Sequence, residues 1–89
     1  MKNILVVCGN GLGTSLMMEI AVKGVVEKLN LEAQVTHTDL SSAASRTADI
    51  YVCAIDLAPH LEAQGKTNII SLTNIFDKVA IEEQLKAFI

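Results

Sequence analysis

Two short runs, Ile4-Leu5-Val6-Val7 and Ile50-Tyr51-Val52-Cys53-Ala54, carry no charged or amide side chain. They are too short for buried helices and lack the alternation of a strand with one wet face. They therefore read as strands covered on both sides. Such strands belong to parallel sheets, and parallel neighbours need long crossover connections, usually helical.

The segments between them supply those crossovers. From Thr14 to about Asn30, the residues Leu16, Met17, Ile20, Ala21, Val25 and Leu29 recur at three- and four-residue steps. That spacing predicts a helix with this face inward and Glu19, Lys23, Glu27 and Lys28 mostly turned to solvent. Thr14 or Ser15 is the expected N-cap, and Asn30 the expected C-terminal turn residue. Glu32–His37 alternates in polarity, as an edge strand would. Asp39-Leu40-Ser41-Ser42 is cap chemistry before a short helical piece through Thr47. Asp56–His60 reads as a loop, with a helical turn over Leu61–Gln64 ending at Gly65. Asn68–Leu72 is the last strand. Phe76, Val79, Ala80, Leu85 and Phe88 or Ile89 then define a C-terminal helix entered through Asp77.

The expected architecture is one α/β domain over residues 1–89. It is a doubly wound, four-stranded parallel sheet in the order 2-1-3-4, with helices on both faces and right-handed crossovers. In such sheets ligands bind beyond the carboxyl ends of the strands, near the switch in strand order. The first strand would end there at Cys8.

That strand runs into Cys8-Gly9-Asn10-Gly11-Leu12-Gly13-Thr14-Ser15. Glycine turns tightly because it visits positive φ without a Cβ penalty. A tight turn between a strand and a helix N-terminus aims several N–H groups into one concavity, and the helix dipole adds positive potential there. A field that holds an anion also favours thiolate over thiol, and the thiolate is the nucleophile. The stretch reads as a cysteine that attacks or carries a phosphoryl group. Gly9 to Ser15 would cradle its oxygens through backbone amides and the Thr14 and Ser15 hydroxyls. Asn10 would add a side-chain amide or favour a left-handed turn. The simpler reading, a small hydrophobe ending a strand before an ordinary tight turn, leaves the three glycines behind Cys8 with less to do.

Composition removes several other classes. A hydrophobic fraction of 51% is ample for a core, and 19% charged residues argue against disorder. A net charge of −3, with Arg46 the single arginine and the lysines scattered, argues against sequence-independent nucleic-acid binding. No apolar run approaches the roughly 20 residues of a membrane span, and no signal-peptide pattern precedes Ile4, so a cytosolic chain is expected. Two cysteines without CxxC spacing fit a reducing compartment. Nothing calls for a metal or cofactor.

The loop also fails the nucleotide signatures. A Walker loop needs a lysine that is missing here, and a GxGxxG fingerprint would need glycine where Thr14 stands. The closer comparison is the Cys-x5-Arg-[Ser/Thr] loop of low-molecular-weight tyrosine phosphatases. The spacing from Cys8 agrees and Ser15 fits, but Thr14 replaces the arginine. That arginine would clamp the transferring phosphoryl group and stabilise its transition state. Its loss points to a cysteine that accepts a phosphoryl group without hydrolysing it.

Cys8-Gly9-Asn10-Gly11-Leu12-Gly13-Thr14-Ser15 resembles the active loop of the IIB subunits of bacterial sugar phosphotransferase systems, in the variant of the ascorbate/galactitol group. The resemblance continues through Leu16-Met17-Met18, His37-Thr38-Asp39-Leu40, Ala48-Asp49-Ile50, Asp56-Leu57-Ala58 and His60-Leu61, nearly the whole chain. The Cys-Gly-Asn-Gly form and the Thr-Asp-Leu segment favour the ascorbate type. The resemblance implies a phosphotransferase relay. A IIA phosphohistidine donates to Cys8, which passes the group to a sugar held by a membrane-embedded IIC partner. The chain would meet the inner face of the membrane only through that partner. The alternatives are a small cysteine phosphatase or arsenate-reductase-like enzyme, and a non-catalytic anion-sensing module with the same loop.

Other residues invite weaker functional readings. His37 and His60 fall near expected carboxyl ends of strands, where either would contact phosphate or accept a proton, although solvent-facing loop histidines are common. Asp56 with Pro59 echoes the general-acid loop of the small phosphatases. Cys53, between Val52 and Ala54, reads as structural. It lies on a neighbouring strand where proximity to Cys8 would permit an oxidative side reaction, though no regulated disulfide is expected. Met17 and Met18 read as core or partner-facing residues. Leu12, Leu16 and Leu57 are candidates for a shallow apolar docking rim.

Overall fold

The computed structural model describes residues 2–9, 12–74 and 77–88, with residues 12–15 described by their backbone alone. Asn10 and Gly11 of the loop, and Phe76 and Ile89 of the expected C-terminal face, lie outside the described residues.

Four strands, β1 (Lys2–Cys8), β2 (Ala33–Asp39), β3 (Ile50–Ala54) and β4 (Ile69–Leu72), alternate with four helices, α1 (Leu12–Lys28), α2 (Leu40–Ala43), α3 (Ala58–Ala63) and α4 (Lys78–Lys86). The sheet is parallel throughout and ordered β2-β1-β3-β4, as expected. The central strand is β1, paired on both flanks, with Val6 opposite His37 on one side and Val52 on the other.

Alternation along the strands sorts the core into two layers. Ile4, Val6 and Cys8 face α1 and α4, packing with Val35, Ile50, Val52, Ile70 and Leu72 against Met18, Val22, Val25, Ile81 and Leu85. Leu5 and Val7 face the other way with Tyr51 and Cys53, under Ala43 of α2 and Leu61 of α3. Burying side chains of this size contributes about 1.5–3 kcal/mol each for Val, Leu or Ile before conformational entropy is subtracted.

Local chemistry sets the helix ends. The carboxylates of Asp39 and Asp77 accept from the N–H groups of Ser42 at 2.8 Å and Ala80 at 3.1 Å, capping α2 and α4. Asn30 (φ 55°) ends α1, and Gly65 (φ 82°) follows α3. Each is the left-handed residue of a Schellman motif, in which Leu31 N–H reaches Val26 C=O and Lys66 N–H reaches Leu61 C=O.

Besides an α2 that stops at Ala43, short of the expected Thr47, four expectations about the helices need correction. First, α1 begins at Leu12, so Thr14 and Ser15 lie within its first turn and not at its cap. Second, its inward face is rotated from the expected one. Met18, Glu19, Ala21, Val22, Val25 and Val26 are buried, while Leu16, Met17 and Ile20 are 49%, 54% and 59% exposed. The helix is apolar almost all round, so several faces satisfied the same spacing and the sheet selected one. Third, α3 begins at Ala58, with Pro59 in its first turn, where a missing N–H costs nothing. Fourth, α4 buries Ile81 and Leu85 while Val79 is exposed.

Candidate functional site

Cys8 is the last residue of β1 and stands opposite Asp39 in the register with β2. It lies at the carboxyl end of the central strand, which has β2 on one side and β3 on the other. The described backbone resumes as helix at Leu12, so the connection from Cys8 to α1 spans only Gly9, Asn10 and Gly11. An α-helix leaves its first N–H groups without intrahelical partners, and in α1 these belong to Leu12, Gly13 and Thr14. The positive end of its dipole is likewise at this turn.

Gly9 and Gly13 contribute differently from the expected left-handed turns. Gly9 is not among the positive-φ residues, and Gly13 lies in helical backbone. Gly9 instead faces Leu57, whose Cδ2 would stand 3.4 Å from a Cβ added at that position. Leu57, half-buried in the turn before α3, thus borders the loop as the rim reading expected.

The Cys8 side chain is 6% exposed and turned toward α1, with its thiol donating to the Met18 thioether at a Sγ–Sδ distance of 3.5 Å. Cys53 occupies the other layer. It pairs in register with Val7, so Cys8, one residue on, projects from the opposite face of the sheet. The proximity expected of the two thiols is therefore corrected: the sheet itself separates them, and both cysteines are free. Burial pushes the Cys53 thiol up to about 12, with Asp56, Cys8 and Glu62 adding electrostatic cost to its thiolate. Cys53 is an inert core residue.

His37 is joined to Glu19 and not to Cys8. Its Nδ1 donates to Glu19 Oε2, and Lys23 Nζ holds the other oxygen at 3.1 Å. Glu19 is 7% exposed. Burial works against its charge, but the bonds from His37 and Lys23 outweigh that penalty and hold the carboxyl below its ordinary value of 4.5. The pair ties α1 to edge strand β2. Asp56 is exposed in the turn after β3, and His60 is exposed on α3. Neither has a described bond to Cys8.

Sequence reasoning missed two contacts at this end of the sheet, Met18 on Cys8 and Glu19 on His37. Both followed from the rotation of α1, and the i,i+4 pairing of Glu19 with Lys23 made Glu19 look like a solvent-facing residue. With the face set as it is, Leu16, Met17 and Ile20 form an exposed apolar strip on the helix that starts at the loop. Elsewhere, a mostly apolar cavity of about 250 Å³ opens at the opposite end of the sheet, beside Lys2, Ile4, Leu31 and Ile50.

The sequence pattern of the family described as "PTS system, Lactose/Cellobiose specific IIB subunit" matches residues 3–87. The chain is also 28% identical over 85 residues to a Mycoplasma pneumoniae protein named "Ascorbate-specific PTS system EIIB component", covering 93% of this chain and 90% of that one. The family match runs through the strand, the loop and the helix that frame Cys8.

Proposed function

Given that the chain belongs to the IIB subunit family of the phosphotransferase systems, we propose that it is a phosphocarrier whose covalent intermediate is a phosphocysteine at Cys8. The observation that carries this reading is the position of Cys8, at the carboxyl end of the central strand and directly before the N-terminus of α1. A phosphoryl group on Sγ would meet the free N–H groups of Leu12, Gly13 and Thr14 and the positive end of the dipole. Gly9, Asn10, Gly11 and Ser15 complete the proposed cradle.

The relay has two transfers. The Cys8 thiolate attacks the phosphorus of a IIA phosphohistidine protonated on its other ring nitrogen, forming the S–P bond as the N–P bond breaks, so that the imidazole leaves in its neutral form. A sugar hydroxyl held by the membrane IIC partner then attacks the same phosphorus, its proton passing to solvent, and the thiolate leaves as the S–P bond breaks. Both steps depend on alignment and on balancing charge on the equatorial oxygens. With threonine in place of the arginine that the phosphatase-type loop carries, water gains no comparable help, so the thiophosphate persists until the acceptor is presented.

Ascorbate is the proposed sugar. The name of the M. pneumoniae relative supports this choice, as does the Cys-Gly-Asn-Gly form of the loop. The family description speaks of lactose and cellobiose and the relative's name of ascorbate; both matches span nearly the whole chain, and the form of the loop is what favours ascorbate. No helix among the described residues is long and apolar enough to cross a membrane. We place the protein in the cytoplasm, meeting the membrane through IIC. Leu57, beside Gly9, and the Leu16–Met17–Ile20 strip would form the rim on which IIA and IIC dock in turn. Brief complexes of this kind use small interfaces.

The test is intact mass after incubation with phosphoenolpyruvate, the general phosphocarrier proteins and an ascorbate-type IIA. One added phosphoryl group, absent from Cys8→Ser, is the expected result. No gain in mass with active donors would reject the relay.

A further inference from the structure

The resting thiol of Cys8 does not point out of the molecule. It is 6% exposed and donates to the sulfur of Met18, which is itself 1% exposed in the α1 layer of the core. A sulfur so placed presents almost no surface to an electrophile on another protein, and at 3.5 Å the two sulfurs leave no room between them for a phosphoryl group. We propose that Met18 is a positioning residue for Cys8: its thioether holds the free thiol folded inward, and rotation about χ1 of Cys8 releases the sulfur for attack.

Three observations converge on this reading. The strand holds the Cys8 backbone through its register with Asp39 of β2 and, one residue earlier, through Val7 opposite Cys53 of β3, which leaves the side-chain torsion as the main available freedom. A thioether is a weak acceptor and a thiol a weak donor, so the contact is strong enough to favour one rotamer and weak enough to yield when a partner docks. The turn of α1 that carries Met18 is also fixed from outside. Glu19, next in the chain, is held by His37 of β2 and Lys23 of α1. The His37 bond therefore resists sliding of the helix, and the thiol is the part freer to move.

The inference deepens the relay reading, since it names what guards the nucleophile between turnovers, but its test needs no phosphoryl donor. Iodoacetamide reacts with a thiolate by displacing iodide, with the thiol proton passing to buffer. Cys53, fully buried and with its thiol pushed up to about 12, does not compete near neutral pH. Met18→Leu keeps the bulk and removes the acceptor sulfur. We expect Cys8 in that variant to be modified roughly twofold to fivefold faster than in the parent, with its unfolding midpoint little changed. Met17→Leu, at an exposed neighbour, should leave the rate unaltered. An unchanged or slower rate in folded Met18→Leu would overturn the proposal.

A second measurement stands if Met18→Leu folds poorly. In the parent protein labelled with 13C at methionine methyls, alkylation of Cys8 should shift the Met18 resonance and leave that of Met17 in place. A Met18 resonance indifferent to Cys8 modification would also overturn it. A protein that passes both measurements yet gains no phosphoryl mass would sink the relay and leave the Met18 contact standing.

Discussion

His37 on edge strand β2 donates its Nδ1–H to Glu19 on α1, a carboxylate that is otherwise inside the protein. The bond crosses from the first helix to the second strand and closes the flank of the layer in which Cys8 sits. Because the folded carboxyl titrates below its ordinary 4.5, the unfolded chain takes up the proton first as pH falls. The stabilisation is complete above pH 4.5 and is lost as pH drops through the folded value. Glu19→Gln should be about 1–2 kcal/mol less stable than the parent at neutral pH. It should also show a shallower loss of stability below pH 4.5. Thermal unfolding followed by circular dichroism across that range checks both. Parallel acid profiles for the two proteins would refute the role given to Glu19.

Cys53 should be dispensable for phosphotransfer and costly only to stability. Its side chain is fully buried in the layer opposite Cys8, so Cys53→Ala leaves a small cavity and should lower stability by about 1–2 kcal/mol. Phosphoryl acceptance should remain within about twofold of the parent, a span of under half a kcal/mol in barrier. Non-reducing mass analysis after mild oxidation should find no Cys8–Cys53 bridge. Finding one would mean that the sheet opens far more readily than its pairing implies.

The exposed strip on α1 should matter to partners and not to folding. Leu16→Ser and Ile20→Ser remove half-exposed apolar groups, so each should change stability by less than about 0.5–1 kcal/mol. In a reconstituted relay the same changes should raise the apparent KM for phosphorylated IIA roughly threefold to thirtyfold, the range of a modest interface residue. The maximal rate should be nearly preserved. Unaltered transfer in the double variant would move the docking surface elsewhere.

Asp77 offers a test of the fold remote from the site. Its carboxylate accepts from the N–H of Ala80 at 3.1 Å and caps the helix that buries Ile81 and Leu85. Asp77→Ala should cost about 1 kcal/mol, with Asp77→Asn close to the parent. Denaturant midpoints of the three proteins decide this. Equal losses in both variants would show that carboxylate charge, and not capping geometry, is what α4 requires.

The sheet order, the eight elements and the location of Cys8 were legible because short fully apolar runs admit few arrangements. Ile4–Val7 and Ile50–Ala54 can be buried on both faces only inside a parallel sheet. Asp77, Asn30 and Gly65 announced helix ends through local chemistry that tertiary packing did not override. The facing of α1 was not legible. Leu16, Met17, Met18, Ile20, Ala21 and Val22 offer apolar groups around most of the circumference, and only contact with β1 and β2 decides among them. Glu19 shows why: a carboxylate beside a lysine at i+4 fits solvent equally well, and what draws it inward is His37, a residue on another strand. Likewise, the spacing of Cys8 and Cys53 cannot reveal opposite faces until the register places Cys53 beside Val7.

A strand paired on both flanks has a consequence in time. The amides of Val6 and Val7 can exchange with solvent only when the sheet as a whole comes apart, so they should be among the slowest in the molecule. The strand that leads to Cys8 is therefore expected to open, as far as Val7, no more often than the protein unfolds. Any partner that arrives meets the same fixed landmark. In the proposed relay, the waiting before a handover would be set by the partner's arrival and one side-chain rotation, and not by breathing of the backbone beneath it.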